Sequence, residues 1–205
     1  MCLLTRNIPG KNLSPETTTV THGVPAGANQ VGRDLGPIMT PTSQTSRGAD
    51  ELRQPSFASP NRLVNITFWN VRTMFQTSKA AQVAKEFREY RLDILGISEC
   101  RWPGTGRLML TSGETVIWSG KEREHEGGVA LMMDRKTEKC LLEWKGISDR
   151  ILKARFDSKY VKTTVFVCYA PTNSASEDEK ERFYEQLQGA VSEVDNHDIL
   201  IVGGE

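Results

Sequence analysis

The stretch LVNITFWNVRTMFQTSKAAQVAKEFREYRLDILGISE, residues 63–99, decides the fold. It opens on LVNITFW, a run rich in β-branched and aromatic residues that reads as a strand. SKAAQVAKEFREY follows and sets Ala81, Ala84, Phe87 and Val83 on one face of a helix that Ser78 would cap. LDILGIS is then a continuous apolar strand of the kind buried on both faces. Strand, helix, strand predicts a βαβ unit.

Downstream, RLMLT and ETVIWSG read as two shorter strands joined at Ser112-Gly113, and the charged KEREHE as a solvated loop. Gly127-Gly128 opens the strand VALMM. KCLLEWKG, RILKARF and VKTTVFVCYA alternate as antiparallel strands do, with Asp157-Ser158 turning the last two. From Glu177 to about Val194, the residues Phe183, Leu187, Val191 and Val194 recur at helical spacing. HDILIVGGE, residues 197–205, is a final buried strand running into a glycine pair. The sum is an α/β domain of mixed sheets with helices packed outside.

Residues 1–60 have a different texture. They hold seven of the nine prolines and a single aromatic, Phe57, amid Ser, Thr, Gly and Gln. Such a segment buries too little apolar surface to offset its ordering entropy, so it is expected to be a disordered tail before a domain at 61–205.

Composition bounds the class. Lys+Arg and Asp+Glu number 26 each, so no whole-chain field draws the protein to nucleic acid or anionic membrane, and phosphate binding requires a local site. Cys2, Cys100, Cys140 and Cys168 lack CxxC spacing and mostly sit in or beside apolar runs. That pattern predicts reduced, buried thiols and an intracellular location, nuclear or cytoplasmic. No signal peptide and no run of about 18 apolar residues is present, so no membrane partner is expected. The Asn65-Ile66-Thr67 sequon falls inside a strand and reads as an accidental match.

Ligands of open α/β sheets gather beyond the carboxyl ends of the strands. The strong strands deliver Asn70, Ser98-Glu99, Tyr169 and Gly203-Gly204-Glu205 there. An amide, a carboxylate and a phenol at three strand ends suit a hard cation and a phosphate, because Mg²⁺ prefers oxygen and often takes only one or two carboxylates. Each residue also has a plainer reading. Asn70 would close a turn, Glu99 would pair with Arg101, and Tyr169 would be an ordinary strand aromatic.

ITFWNVRT, LDILGISECRW, GGVALMM, VFVCYAPTN and DILIVGG, in this order and at these separations, resemble the endonuclease/exonuclease/phosphatase superfamily. The resemblance covers Leu63 to Val202 and is nearest to the retrotransposon-type endonuclease branch, whose stand-alone relatives are called craniofacial development protein 2-like. It implies a four-layered sandwich of mixed β-sheets flanked by helices, and cleavage of a DNA phosphodiester by activated water with Mg²⁺ or Mn²⁺. By that resemblance Asn70 orients the scissile phosphate, Glu99 ligates the metal and Tyr169 donates to a phosphate oxygen. Arg72 stands where some DNA-repair relatives carry an acid and reads equally as phosphate-binding or as a structural ion pair. Asn173 matches the phosphate-contacting asparagine of its loop. Arg101 is expected in a salt bridge, Trp102 in packing, and Arg150 as a structural anchor.

The family's last strand runs into Gly-Asp-Phe-Asn, and a later Ser-Asp-His supplies the histidine. Matched on Gly203, this sequence has Gly204 where the aspartate should be and Glu205 where the phenylalanine should be, and no Ser-Asp-His. His22, His125 and His197 are poor replacements, and Glu205 is expected to fray. The sequence therefore reads as the N-terminal portion of such a domain, weak or inactive, with a protein partner covering the exposed sheet. Whether it is an enzyme stays open. A phosphatase of the same fold acting on a small phosphorylated ligand and a non-catalytic binding protein are the alternatives.

Overall fold

The computed structural model describes residues 3–4, 17–20, 56–58 and 63–205. Its strands in chain order are β1 (Leu3–Leu4), β2 (Thr17–Val20), β3 (Val64–Asn70), β4 (Ile94–Ser98), β5 (Thr105–Met109) and β6 (Thr115–Ser119). They continue as β7 (Val129–Met133), β8 (Leu141–Ser148), β9 (Ile151–Phe156), β10 (Thr163–Cys168) and β11 (Ile199–Gly204). The helices are α1 (Thr77–Glu89), α2 (Arg135–Glu138) and α3 (Glu177–Ser192). One sheet runs β2-β3-β4-β7-β6-β5 and the other β1-β11-β10-β9-β8.

Period-two alternation decides which side chain joins which layer. In β4, Ile94 faces the second sheet while Leu95 and Ile97 face α1, and in β7 Leu131 and Met132 divide the same way. In β10, Val165 and Val167 point between the sheets, and Phe166 points to the layer under α3 with Phe183 and Ala190. Because both faces of these central strands are covered, apolar residues occupy both sides of each strand and every residue of β4, β7 and β10 is buried. The result is four layers, helix, sheet, sheet, helix, as expected. Parallel neighbours need a crossover connection, and the βαβ units β3-α1-β4 and β10-α3-β11 supply it.

Phe68 locks the two sheets together. A Cβ on Gly96 of β4 or on Gly203 of β11 would overlap its ring, so these two glycines form the slot that the ring fills. Arg155 and Asp198 hold the entry to β11. Arg155 Nε and Nη2 donate to the Asp198 carboxylate at 2.7 and 2.9 Å, and Thr164 Oγ1 donates to it at 2.8 Å.

Several local expectations change. On α1 it is Ala80, not Ala81, that is buried with Ala84 and Phe87, because the apolar face follows 80, 83, 84 and 87. Ser78 lies inside the helix; Gln76 is the N-cap and makes no side-chain cap bond. The short α2 went unanticipated, although Asp134 caps it by accepting from the Thr137 N–H at 2.7 Å. Phe57, inside the segment read as a tail, is 1% exposed and stacks on Phe156 with ring centroids 4.8 Å apart. Packing therefore reaches upstream of residue 61. The short strands β1 and β2 pair with β11 and β3, and the remainder of the expected tail lies outside the described residues.

Cys100, Cys140 and Cys168 are buried, as their apolar surroundings imply, and Cys2 lies outside the described residues. Among the described residues, no helix is long and apolar enough to cross a membrane. Gly189 offers one stability test. A Cβ there meets open space in mid-helix, so Gly189→Ala is expected to raise stability by about 0.5–1 kcal/mol in urea unfolding.

Candidate metal and phosphate site

β3, β4, β10 and β11 end at one rim, and their terminal residues meet there. Asn70 Nδ2 donates to Glu99 Oε1 at 2.8 Å, and Tyr169 Oη donates to the same oxygen at 3.0 Å. Arg101 Nη2 donates to Glu99 Oε2 at 3.2 Å. Asn70 Nδ2 also donates to Glu205 Oε2. One amide thus bridges two carboxylates, and its orientation is set from the other side, where Asn70 Oδ1 accepts the Arg72 N–H at 2.9 Å.

The backbone at this rim is unusual. Glu99, Arg101 and Arg72 adopt φ values of 56°, 56° and 59°, the left-handed region that residues with a Cβ seldom enter. The loop is held in that shape by Cys100 N–H to Gly128 O at 3.1 Å and Arg101 N–H to Gly127 O at 2.9 Å. Alternation across 99–101 sinks Cys100 into the core and turns Glu99 and Arg101 toward the rim.

Burial pushes the Glu99 carboxyl up, but hydrogen bonds from Asn70, Tyr169 and Arg101 outweigh it and hold the group below its usual value. Tyr169 moves the other way. Burial raises its phenol, and the bond to Glu99 and the charges of Glu99 and Glu205 raise it further, so it remains a donor. The guanidinium of Arg150 lies 5.3 Å from the Tyr169 ring centroid and donates to the Tyr169 carbonyl at 3.4 Å. That is an anchoring geometry.

Asn70, Glu99 and Tyr169 are therefore gathered, while Arg72 contributes only its backbone and its side chain is outside the bonded cluster. Asn173 is exposed on the loop after Pro171 and likewise stays out of the cluster. Arg101 pairs with Glu99, and Trp102 packs edge-on against Trp118 while its Nε1 donates to the Met74 carbonyl at 2.8 Å.

Glu205 is the residue that sequence reasoning set aside. Its N–H donates to the Cys168 carbonyl at 3.2 Å, and its carbonyl accepts from Ala170 N–H at 2.7 Å, which aims the side chain at Asn70. The expected fraying does not occur, because the residue extends the β10–β11 pairing. Its placement follows from the parallel register, which sets Gly204 beside Cys168 and hence Glu205 beside Tyr169, a pairing that no local pattern in the sequence signals.

No family model matches the chain. It is 34% identical over 137 residues to craniofacial development protein 2 of Bos taurus, covering 67% of this chain and 23% of that protein. Against craniofacial development protein 2 of Tragulus javanicus it is 30% identical over 197 residues, covering 96% of this chain and 32% of that protein. The chain thus spans a third or less of these curated relatives. Its fold resembles the AP endonuclease LMAP of Leishmania major, with a TM-score of 0.55 at 12% identity over 72% of this chain and 56% of that one. It also resembles the human nocturnin catalytic domain, with a TM-score of 0.51 at 14% identity over 69% and 62% of the two chains. The fold is that of the endonuclease/exonuclease/phosphatase superfamily. Within it, the chain belongs with the homologues named craniofacial development protein 2.

Proposed function

We propose that the chain holds Mg²⁺ or Mn²⁺ at Glu99 and grips a DNA phosphodiester with Asn70 and Tyr169, while these 205 residues by themselves hydrolyse it weakly or not at all. The observation that carries this reading is the single Glu99 oxygen that receives both Asn70 and Tyr169, side chains brought from different sheets. The residues fit a hard cation. The atoms at the rim able to ligate a cation are carboxylate and phenol oxygens, and Glu99 and Glu205 both reach the Asn70 amide. Among the described residues no group of three or more His, Cys, Asp or Glu assembles, which favours an ion that keeps much of its water, as Mg²⁺ does.

When bound, such an ion supplies neutralisation of charge on the phosphate and the leaving oxygen. The protein's own share is positional. Asn70, with Oδ1 fixed by the Arg72 N–H, presents its Nδ2 to the carboxylates of Glu99 and Glu205, and Tyr169 presents its proton to Glu99; a phosphate would take over these donors once an ion held the carboxylates. These neutral donors orient an anion without repelling it. Arg101 offsets part of the carboxylate charge, and the Arg72 and Asn173 side chains are exposed at the rim for further phosphate contacts.

A proton shuttle has no evident source among the described residues. His125 packs at a tilt against Phe75, and His197 pairs with Asp195 ahead of β11, at the far end of the strand. Lack of a general acid or base costs about 10²–10⁴ in rate. Fold likeness to an AP endonuclease supports a nucleic-acid phosphodiester as the substrate class.

Mn²⁺ titration followed by water-proton relaxation tests the site. Glu99→Gln is expected to weaken binding by at least about tenfold, and wild-type protein that binds no Mn²⁺ would sink the reading. Supercoiled plasmid with Mg²⁺ tests the second half: nicking that Glu99→Ala abolishes would show the chain to be an active nuclease.

A further inference from the structure

We propose that Phe75 and His125 form a platform on which an unpaired nucleobase stacks, beside the phosphate gripped at Asn70 and Tyr169. The proposal rests on that phosphate reading. Phe75 is 57% exposed, yet it is not a loose surface residue. Met74, next to it, is fastened at both ends: its N–H donates to the Cys100 carbonyl at 2.9 Å, and its carbonyl accepts Trp102 Nε1 at 2.8 Å. The Phe75 N–H itself donates to Thr73 Oγ1 at 3.1 Å. Its backbone is thereby fixed to the loop that carries Glu99.

A second ring joins it. The His125 imidazole lies 4.1 Å from the Phe75 ring, centroid to centroid, at 52°. His125 Nδ1 is 3.3 Å from the carbonyl oxygen of Arg101, the residue whose guanidinium touches Glu99. Three loops thus converge on one place: the residues after β3, those after β4 and those before β7. Each is anchored to the rim that bears the carboxylates.

Other exposed apolar side chains, such as Leu108, Leu142 and Tyr184, lie scattered on strand edges or a helix, as on any surface. Among the described residues, Phe75 alone of the exposed aromatics is paired with an exposed imidazole, on the loops that carry Glu99 and Arg101. An exposed ring held still beside an anion site is the arrangement that single-stranded nucleic acid uses, because every base has a face to stack and pays little to order a rigid partner. The charges nearby are mixed. Arg101, whose carbonyl meets His125, is paired with Glu99, and Lys121 is paired with Glu124 and Glu126. Stacking, not net charge, must then supply most of the base affinity.

The probe is a short thymidine oligonucleotide carrying one 2-aminopurine, whose fluorescence is quenched on stacking, added to the 205-residue chain. Chelator is present to stop turnover. Phe75→Ala is expected to weaken binding by about 5- to 150-fold and to lose the quench, following the usual worth of one stacked base. Phe75→Trp is expected to restore both, and the matching duplex is expected to respond to neither substitution. Equal binding by wild type and Phe75→Ala, or equal losses for single strand and duplex, would overturn the proposal. The two readings separate cleanly. Quenching without Mn²⁺ binding would support the platform and sink the metal site, and Mn²⁺ binding without quenching would do the reverse.

Discussion

Gly204→Ala is expected to unfold the protein or to lower its stability by more than the roughly 1–3 kcal/mol that overpacking usually costs. Gly204 has φ of 145°, and a Cβ there would drive into the backbone carbonyl of Cys168 on the adjacent strand. Backbone cannot move aside as a side-chain tip can, so β10 and β11 would have to separate at the rim. Urea midpoints give the measure. A variant within about 0.5 kcal/mol of wild type would mean that the strands are not paired there as described. Gly203→Ala is expected to do less harm, since its new methyl meets the Phe68 ring, a side chain with some freedom to shift. Both effects are opposite in sign to that expected at Gly189.

Asp198→Ala carries the second large expected loss. The Asp198 side chain is only 3% exposed and takes two hydrogen bonds from Arg155 and one from Thr164. Removing it leaves Arg155, whose side chain is 23% exposed, with its longer ion pair to Asp195 at 3.6 Å; breaking a buried pair costs about 3–5 kcal/mol, and the exposure of Arg155 and its second partner place the expected value at the low end. The same pair sets a pH dependence. The hydrogen bonds from Arg155 hold the Asp198 carboxyl below its ordinary value of 3.8, the opposing effect of burial being smaller. A carboxyl depressed in the folded state contributes stability that is complete above the unfolded value and is lost as pH falls through the folded one. Wild-type stability is therefore expected to decline below about pH 4, and the Asp198→Ala curve is expected to be flatter there. Parallel curves for the two proteins would refute the assignment.

Long periodic elements were legible in the sequence because their pattern is local. The strand β4 announces itself as a continuous apolar run, β7 as the apolar stretch opened by Gly127-Gly128, β10 by its alternation, and α3 by Phe183, Leu187 and Val191. The start of α1 was misread because Gln76 occupies the N-cap with no side-chain cap bond, while Ser78 looked like a cap. Residues at strand ends could be found by asking what each strand delivers, and that brought Asn70, Glu99 and Tyr169 into one list before any contact was known. What could not be found was whatever depends on a distant neighbour. The need for glycine at 96 and 203 comes from Phe68, and the placement of Glu205 comes from Cys168 and Ala170. Phe57 was hidden by its company of prolines and small polar residues, although its partner, Phe156, lies 99 residues on.

The bonds that define the rim span long stretches of chain: 29 residues between Asn70 and Glu99, 70 between Glu99 and Tyr169, and 135 between Asn70 and Glu205. Contacts of such separation are slow to form, because the loop entropy is lost before the contact is gained. During synthesis the first sheet emerges well before β9, β10 and β11, and until they arrive Ile66, Ile94 and Leu131 have no second sheet to lie against. The site is thus expected to be the last part of the domain to mature, and the nascent first sheet to be its most aggregation-prone species.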